Sequence, residues 1–458
     1  MYASSILILF LILQGLPASA FLWRAVSAHN SYRAILAVVL FPLLIGTTQD
    51  LVLVLAFRDI RLSFYAGIFI AVCGLPVCFW HREALQNIMS SFWAAKSRKS
   101  FSTAALILGV LIVLVLLLSE LYYSPIEDWD ARSIWFFQGK ILFFDGGFKE
   151  TSWTLPTISF SHPDYPKAVP ILAAQIASIN GYWNEYDPLT SIAIILVIEV
   201  MLLAYVLETP IELMIFTAPV GLSMGMHPFV NGYMDAHIGT MSSLAAMCLL
   251  RRSKETGMTD LYLGALTLGL VASMKNEGLV LSFLVLTVCS LANSQLRQAI
   301  FLVISRKSLF IVMIAALPSL LWMNLKLQWG LVNDLSKNGQ LERLLARINM
   351  HDLALILGLS KVLLIFLAVG ILAVANRFIN RNRASAAATL VVCAAIYYGV
   401  LIVVYLTTPY DLNWHLSTAG RVVYPIYMML ICSTVLYFRS WTSSQDCVRD
   451  RRAVGDIR

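Results

Sequence analysis

FSTAALILGVLIVLVLLLSELYYSPIEDWD, residues 101–130, decides how the chain reads. From 101 to 121 it is apolar over the length of about twenty residues that a helix needs to cross a bilayer core. It then turns abruptly to Glu127, Asp128, Trp129 and Asp130. The next candidate span begins only near 188, so Tyr122 to Tyr186 is the longest interval without one. That interval also carries His162-Pro163-Asp164-Tyr165-Pro166. A chain that holds one acidic, aromatic, proline-punctuated segment out of lipid is expected to use it at the membrane surface.

Composition extends the reading to the whole chain. Of 458 residues, 59% are hydrophobic and 13% charged, and the mean hydropathy is +0.77. A soluble globular protein carries about a quarter charged residues, so the deficit points to an integral membrane protein. Eleven Trp and eighteen Tyr fit a polytopic chain, because amphipathic rings collect where headgroups meet water. The net charge of +7 (33 basic minus 26 acidic) sits in short clusters between apolar runs, which reads as topology and not as a nucleic-acid surface. The seven cysteines form no disulfide or metal framework, and Cys73 and Cys78, inside an apolar run, are expected as small core residues. Pro17-Ala18-Ser19-Ala20 resembles a cleavage site, yet no basic residue precedes the apolar run, so a retained first helix is expected.

Spans are read near 3–23, 34–57, 62–80, 101–121, 188–207, 211–228, 235–250, 259–274, 278–292, 308–325, 353–375, 385–406 and 421–438, an all-α chain of about thirteen transmembrane helices. Asp50 and Glu199 fall inside spans, where ionisable groups face a protein interior or a cavity. Counted alternately, the basic groups at 96–99, 251–254, 297–307, 377–383 and 439–458 share one side, the cytoplasm by the positive-inside rule. Arg24 and Arg33 agree with this assignment; Arg58 and Arg61 do not. The opposite, exoplasmic face receives the segment 122–186 and the loops near 326–352 and Thr407 to Gly420. Within the long segment, 133–144 suits an interfacial helix with Lys140 reaching water and ending at Asp145-Gly146-Gly147. A second short stretch, Lys167 to Tyr182, suits an interfacial or re-entrant helix.

Four constellations carry chemistry. Three carboxylates in four residues, 127–130, offer a general base, and Asp128 and Asp130 have the spacing of loops that hold a divalent cation against a phosphate; a solvated acidic turn is the plain alternative. In 162–166 the two prolines push the residues before them toward extended geometry, so His162 and Tyr165 are expected to project from a stiff rod, with Asp164 as a cap if the motif is only a corner. Trp414, His415 and Arg421 stand at the mouth of the last span, suited to a headgroup phosphate or to simple interfacial anchoring. Lys275, Asn276 and Glu277 form a tight turn, read as a Lys275–Glu277 ion pair or a substrate contact. His227 and His237 read as packing or interhelical hydrogen-bonding residues.

Trp129-Asp130-Ala131 with Trp135 and Lys140, the 162–166 block, Lys275-Asn276-Glu277-Gly278, and Trp414-His415-Leu416 to Arg421 together resemble bacterial polytopic C-type glycosyltransferases. That class includes protein O-mannosyltransferases and aminoarabinose transferases. The resemblance implies a GT-C-like module over 101–438 with an exoplasmic loop at 122–187, preceded by additional helices in 1–100 and followed by a basic cytoplasmic tail at 439–458. It implies a bacterial inner-membrane enzyme facing the periplasm that moves a sugar from a polyprenyl-phosphate donor to a glycan, lipid or protein acceptor. Carried over, the base is Asp130 or Asp128, with Asp130 in the matching Trp-Asp-Ala. Cations for the departing phosphate would be Arg421 first, then His415, Lys140 and Lys275. A divalent cation at Asp128 and Asp130 is a further candidate, and a groove between helices would hold the polyprenyl tail. An O-antigen ligase or polymerase, or a lipid-linked glycan flippase, are the competing readings. The topology has a direct check: reporter fusions at Phe148 and Ser253 should report opposite sides of the membrane, and agreement between them would refute the assignment.

Overall fold

The computed structural model describes residues 2–23, 26, 31–94, 100–123, 127–251, 258–293, 306–333, 335, 339–357, 370 and 385–455. Among them the chain is all helical, and the one extended contact is an isolated bridge between Asp59 and Gly147. In chain order the helices are α1 (Tyr2–Trp23), α2 (Ser31–Phe57), α3 (Ile60–Trp80), α4 (Arg82–Ala94), α5 (Ser100–Tyr123), α6 (Phe136–Asp145), α7 (Glu150–Trp153), α8 (Ala168–Asn180), α9 (Thr190–Val206), α10 (Pro210–Ser223) and α11 (His227–Val230). Then come α12 (Met234–Leu250), α13 (Met258–Ala272), α14 (Asn276–Ala292), α15 (Arg306–Gln328), α16 (Gln340–Arg347), α17 (Met350–Leu357), α18 (Ser385–Thr407), α19 (Leu412–Leu416), α20 (Ala419–Val422) and α21 (Tyr424–Gly455).

Among the described residues, eight helical segments are long and apolar enough to cross a membrane, and α8, α10, α13 and α14 are shorter apolar helices. The protein is therefore a multi-pass, all-helical membrane protein. The expected span at 353–375, for the most part, and the basic groups at 96–99, 252–254, 297 and 377–383 lie outside the described residues, as does Arg24. Helices α3 and α5 turn most of their apolar side chains outward, including Tyr65, Phe69, Leu108 and Val115, as lipid contact requires. Cys73 belongs to that outer face and is exposed, and Cys78 is half-buried, so neither is the core residue its apolar neighbours suggest.

The interior is built on α2, α9 and α12. Helix α2 packs against α1, α3, α9, α13 and α15, and its buried Asp50 accepts a hydrogen bond from Gln175 Nε2 of α8 at 2.9 Å. The stretch expected at the interface is thus an inner helix: α8 is buried from Ala168 to Ala177. Helix α6 forms where the interfacial helix was expected and ends on Gly146 in the left-handed conformation, φ 71°. Arg58 has a local reason to lie at this end, since its guanidinium donates to Gln328 Oε1 at 2.8 Å and its carbonyl accepts from Phe148 N–H at 2.9 Å.

The other end is closed by charge. The last carbonyls of α9 have no partners within the helix, and the helix dipole makes that end negative. Three arginines from three helical segments meet there: Arg33 donates to Leu207 O at 3.2 Å, Arg439 to Val206 O at 3.1 Å, and Arg251 to the same Val206 carbonyl. Their charge is balanced by Glu208, Glu212 and Asp260, with Arg439 Nη2 to Glu212 Oε2 at 2.6 Å and Arg33 to Glu208 at 3.2 Å. Arg439→Ala would strand the buried Glu212, a loss of about 3 kcal/mol, and should lower the unfolding temperature in detergent. Replacing both Arg439 and Glu212 by methionine should recover most of that loss, and a double variant as unstable as the single one would contradict the pairing.

Candidate functional site

At the opposite end, the chain leaves α5 and enters a helical turn wider than an α-helix. Asp130 opens it, and Phe136 N–H bonds to Ala131 O, five residues back. Such π-turns occur frequently at functional sites because the extra residue re-aims side chains. Here the turn directs Asp130 inward: its carboxylate is 5% exposed and meets Arg421 Nη1 at 2.6 Å, while the Arg421 side chain is 25% exposed. The guanidinium also lies 4.2 Å from the ring centroid of Tyr233. The approach depends on Gly232, at φ 84°, where a Cβ would stand 2.4 Å from the Ala131 Cβ. Residues 130 and 421, from the two ends of the resembling blocks, therefore face each other directly.

Next to this pair lies a second one. Asp235, in the first turn of α12, accepts from Lys275 Nζ at 2.8 Å, and Glu277 is 3.6 Å from the same ammonium. The expected Lys275–Glu277 pair is thus the longer of two contacts. Burial opposes the lysine's charge, but Asp235, then Glu277 and Asp130, outweigh it and hold the ammonium above the ordinary lysine range. Asp235 Oδ2 and Glu277 Oε2 are buried without a hydrogen-bond partner among the described residues. Asn276 Nδ2 donates to Asp164 Oδ2 at 2.8 Å, and Lys326 approaches the same oxygen at 3.3 Å.

The 162–166 block is a tight turn and not a rod. His162 is left-handed (φ 49°), Tyr165 N–H bonds to His162 O at 3.0 Å, and Gln138 Nε2 donates to the carbonyls of Ser161 and His162. These hydrogen bonds overcome the extended preference of a residue before proline. The turn stacks His162 on Tyr165 at 4.9 Å between ring centroids, and Trp135 lies 5.7 Å from Tyr165. Burial, then the charges of Glu277, Asp164, Asp130 and Asp235, raise the Tyr165 phenol well above its ordinary range. One tyrosine thus sits within the field of four carboxylates.

Asp128 takes another direction, to His227 Nε2 at 3.2 Å. Lys140 lies apart from the cluster, paired with Glu185 at 2.5 Å and 5.8 Å from the Trp183 ring. Trp414 is exposed, its ring tilted against that of Tyr410 with 5.2 Å between centroids. His415 packs its ring 4.8 Å from Tyr405, with Nδ1 buried and unpartnered among the described residues. The His237 ring of α12 bonds across to Glu199 of α9 at 3.1 Å, the interhelical role its position suggested.

Four residues of this end escaped the sequence reading: Tyr233, Asp235, Lys326 and Lys167. Asp235 carried a signal, a carboxylate opening an apolar helix just after Asn231-Gly232, and Lys326 closes a span at the same end. Lys167 carried little. It lies between the rings of Trp153 and Trp322, 4.4 and 4.3 Å from their centroids, and donates to Gln138 Oε1 and Pro163 O, both at 2.8 Å. Burial pushes its ammonium well below the ordinary lysine range.

Comparison with family models, curated proteins and solved structures returned no match. What the geometry defines, among the described residues, is a multi-pass membrane protein with a buried carboxylate–cation cluster at the end that carries the long loop.

His415 gives the site a pH signature. Burial, then the charges of Arg347 and Arg421, hold its imidazole down to about 4 from an ordinary 6.5. An unfolded chain therefore binds more protons than the folded one between those values, so this contribution to stability is full above about 6.5 and declines as pH falls toward 4. His415→Gln should flatten the fall of unfolding temperature across that window relative to wild type, and an unchanged slope would assign the acid sensitivity elsewhere.

Proposed function

We propose that this protein is a membrane glycosyltransferase that moves a sugar from a polyprenyl-phosphate donor to an acceptor at the exoplasmic, periplasmic face of a bacterial inner membrane. The observation that carries the reading is the Asp130–Arg421 pair, a sequestered carboxylate whose partner guanidinium is the more exposed of the two. An incoming phosphate competes with Asp130 for Arg421, and its binding releases the carboxylate. Asp130 then takes the proton of the acceptor hydroxyl as that oxygen attacks the anomeric carbon. The bond from that carbon to the phosphate oxygen breaks, and polyprenyl phosphate leaves with its charge stabilised by Arg421, and by Lys275 behind it.

A place for the lipid tail supports the same reading. An apolar groove of about 400 Å³ runs between α13, α14 and α15. Ala272, Leu279, Ser319 and Met323 line it, close in sequence to Lys275 and Lys326, whose ammonium groups pair with Asp235, Glu277 and Asp164. A divalent cation between Asp128 and Asp130 gains no support from this donor set: Arg421 already holds Asp130, Asp128 turns to His227, and no step is assigned to a metal.

A ligase or polymerase would use late-loop arginines, but Arg347 donates to the carbonyls of Thr408 and Tyr410, at 2.8 and 2.9 Å, and Arg343 to Thr407 O at 2.8 Å. The buried polar pairs that a flippase needs are present, yet Asp50 is bonded to Gln175 and Glu199 to His237. The decisive experiment is transfer from a polyprenyl-phosphate sugar by purified protein. Asp130→Asn should reduce it by about 10²–10⁴-fold while leaving the protein folded. Arg421→Ala should chiefly weaken donor use. Full activity of the Asp130 variant would overturn the catalytic role.

A further inference from the structure

Helix α16, Gln340–Arg347, has no buried residue. At about 100° per residue its side chains divide into three arcs. Arg343, Leu344 and Arg347 are half-buried on the side turned to the protein, and Glu342 and Ala346 are exposed on one flank. On the other flank lie Leu341, Leu345 and, just past the helix end, Ile348, which are 67, 65 and 55% exposed. Single exposed apolar residues are ordinary, but a contiguous apolar stripe marks a contact surface.

The arginines fix where that stripe sits. Arg343 Nε donates to Thr407 O at 2.8 Å, and Arg347 donates to the carbonyls of Tyr405, Thr408 and Tyr410 at 3.3, 2.8 and 2.9 Å. These are the last carbonyls of α18 and the first beyond it. The segment Ala386–Thr407 is long and apolar enough to cross a membrane, so its last turn falls where hydrocarbon gives way to headgroups. Val403, one turn before Thr407, is exposed, so apolar surface on α18 runs up to the point where α16 is tied. Just beyond α18, Tyr410 lies against the exposed Trp414, and such rings collect at that level of a bilayer.

We infer that α16 is an interfacial anchor whose Leu341–Leu345–Ile348 stripe docks into the headgroup–acyl boundary of the membrane that α18 crosses. Lipid below, protein beside and water above match the three arcs of the helix. Both arginines are engaged with backbone carbonyls, so the attachment is apolar and needs no anionic headgroup. Through Arg347 the anchor ties to the membrane surface the segment that leads to Trp414 and His415. It is independent of the chemistry at Asp130.

Full-length protein in nanodiscs of neutral phosphatidylcholine supplies the test. A nitroxide is attached through a ketone-bearing amino acid placed at Leu345 or at Glu342, which leaves the seven native cysteines untouched. Its collisions with oxygen, which concentrates in hydrocarbon, are compared with its collisions with a water-soluble nickel chelate. Oxygen should dominate at 345 and the chelate at 342, so that the ratio inverts between the two flanks. If the variant at 345 unfolds below the parent temperature, the same label at Ile348 carries the comparison. Chelate access at 345 equal to that at 342 overturns the inference. A label at 345 that meets neither reagent overturns it too, since the stripe would then be covered by protein, a second copy included.

Discussion

A carboxylate removed from water has to be matched by positive charge, and for Asp130 that charge is Arg421, 2.6 Å away. The desolvation of each ion costs on the order of several kcal/mol, so neither is stable in place without the other. Much of the fold at this end serves to hold the pair. The wide turn at 130–135 aims Asp130 inward, Gly232 lets that turn approach α12, and Tyr233 lies against the guanidinium. Asp235 and Lys275 repeat the arrangement one step deeper, so the cluster is a chain of mutually dependent charges.

The two ends of the molecule use charge differently. At one end, arginines satisfy the carbonyls of α9 and are balanced by Glu208, Glu212 and Asp260, which joins distant helices into one body. At the other, Asp235 and Glu277 each keep an oxygen unbonded among the described residues, and His415 keeps a neutral ring nitrogen unbonded. The first end too leaves Arg33 Nε, Arg251 Nε and Asp260 Oδ2 buried without a hydrogen-bond partner among the described residues, so the two ends differ in which groups meet and not in saturation. Two apolar grooves lie between helices, one lined by α13, α14 and α15 and one by α5, α9 and α10.

The sequence by itself determined the class of solvent and the addresses of the charged loops. Runs such as 101–121 leave a helix in lipid as the form that satisfies every backbone group, so the all-helical, multi-pass architecture was legible from hydropathy alone. Asp130, His162, Asp164, Lys275 and Arg421 stood out for the same reason, since polar residues at the edges of apolar runs are few.

Partnership was decided only by tertiary structure. Charge and spacing alone do not tell Asp128, which meets His227, from Asp130, which meets Arg421, because that difference in partner comes from a π-turn set by packing. Lys275 stands two residues from Glu277 yet bonds more closely to Asp235 on another helix, and Lys140 pairs with Glu185 outside the cluster. The interior placement of α8 was likewise hidden, because a short apolar helix looks the same on a membrane surface and in a protein core. Hydrophobicity is a property of each segment and can be read locally, whereas an ion pair depends on the distance between two segments, and that distance exists only once the chain has folded.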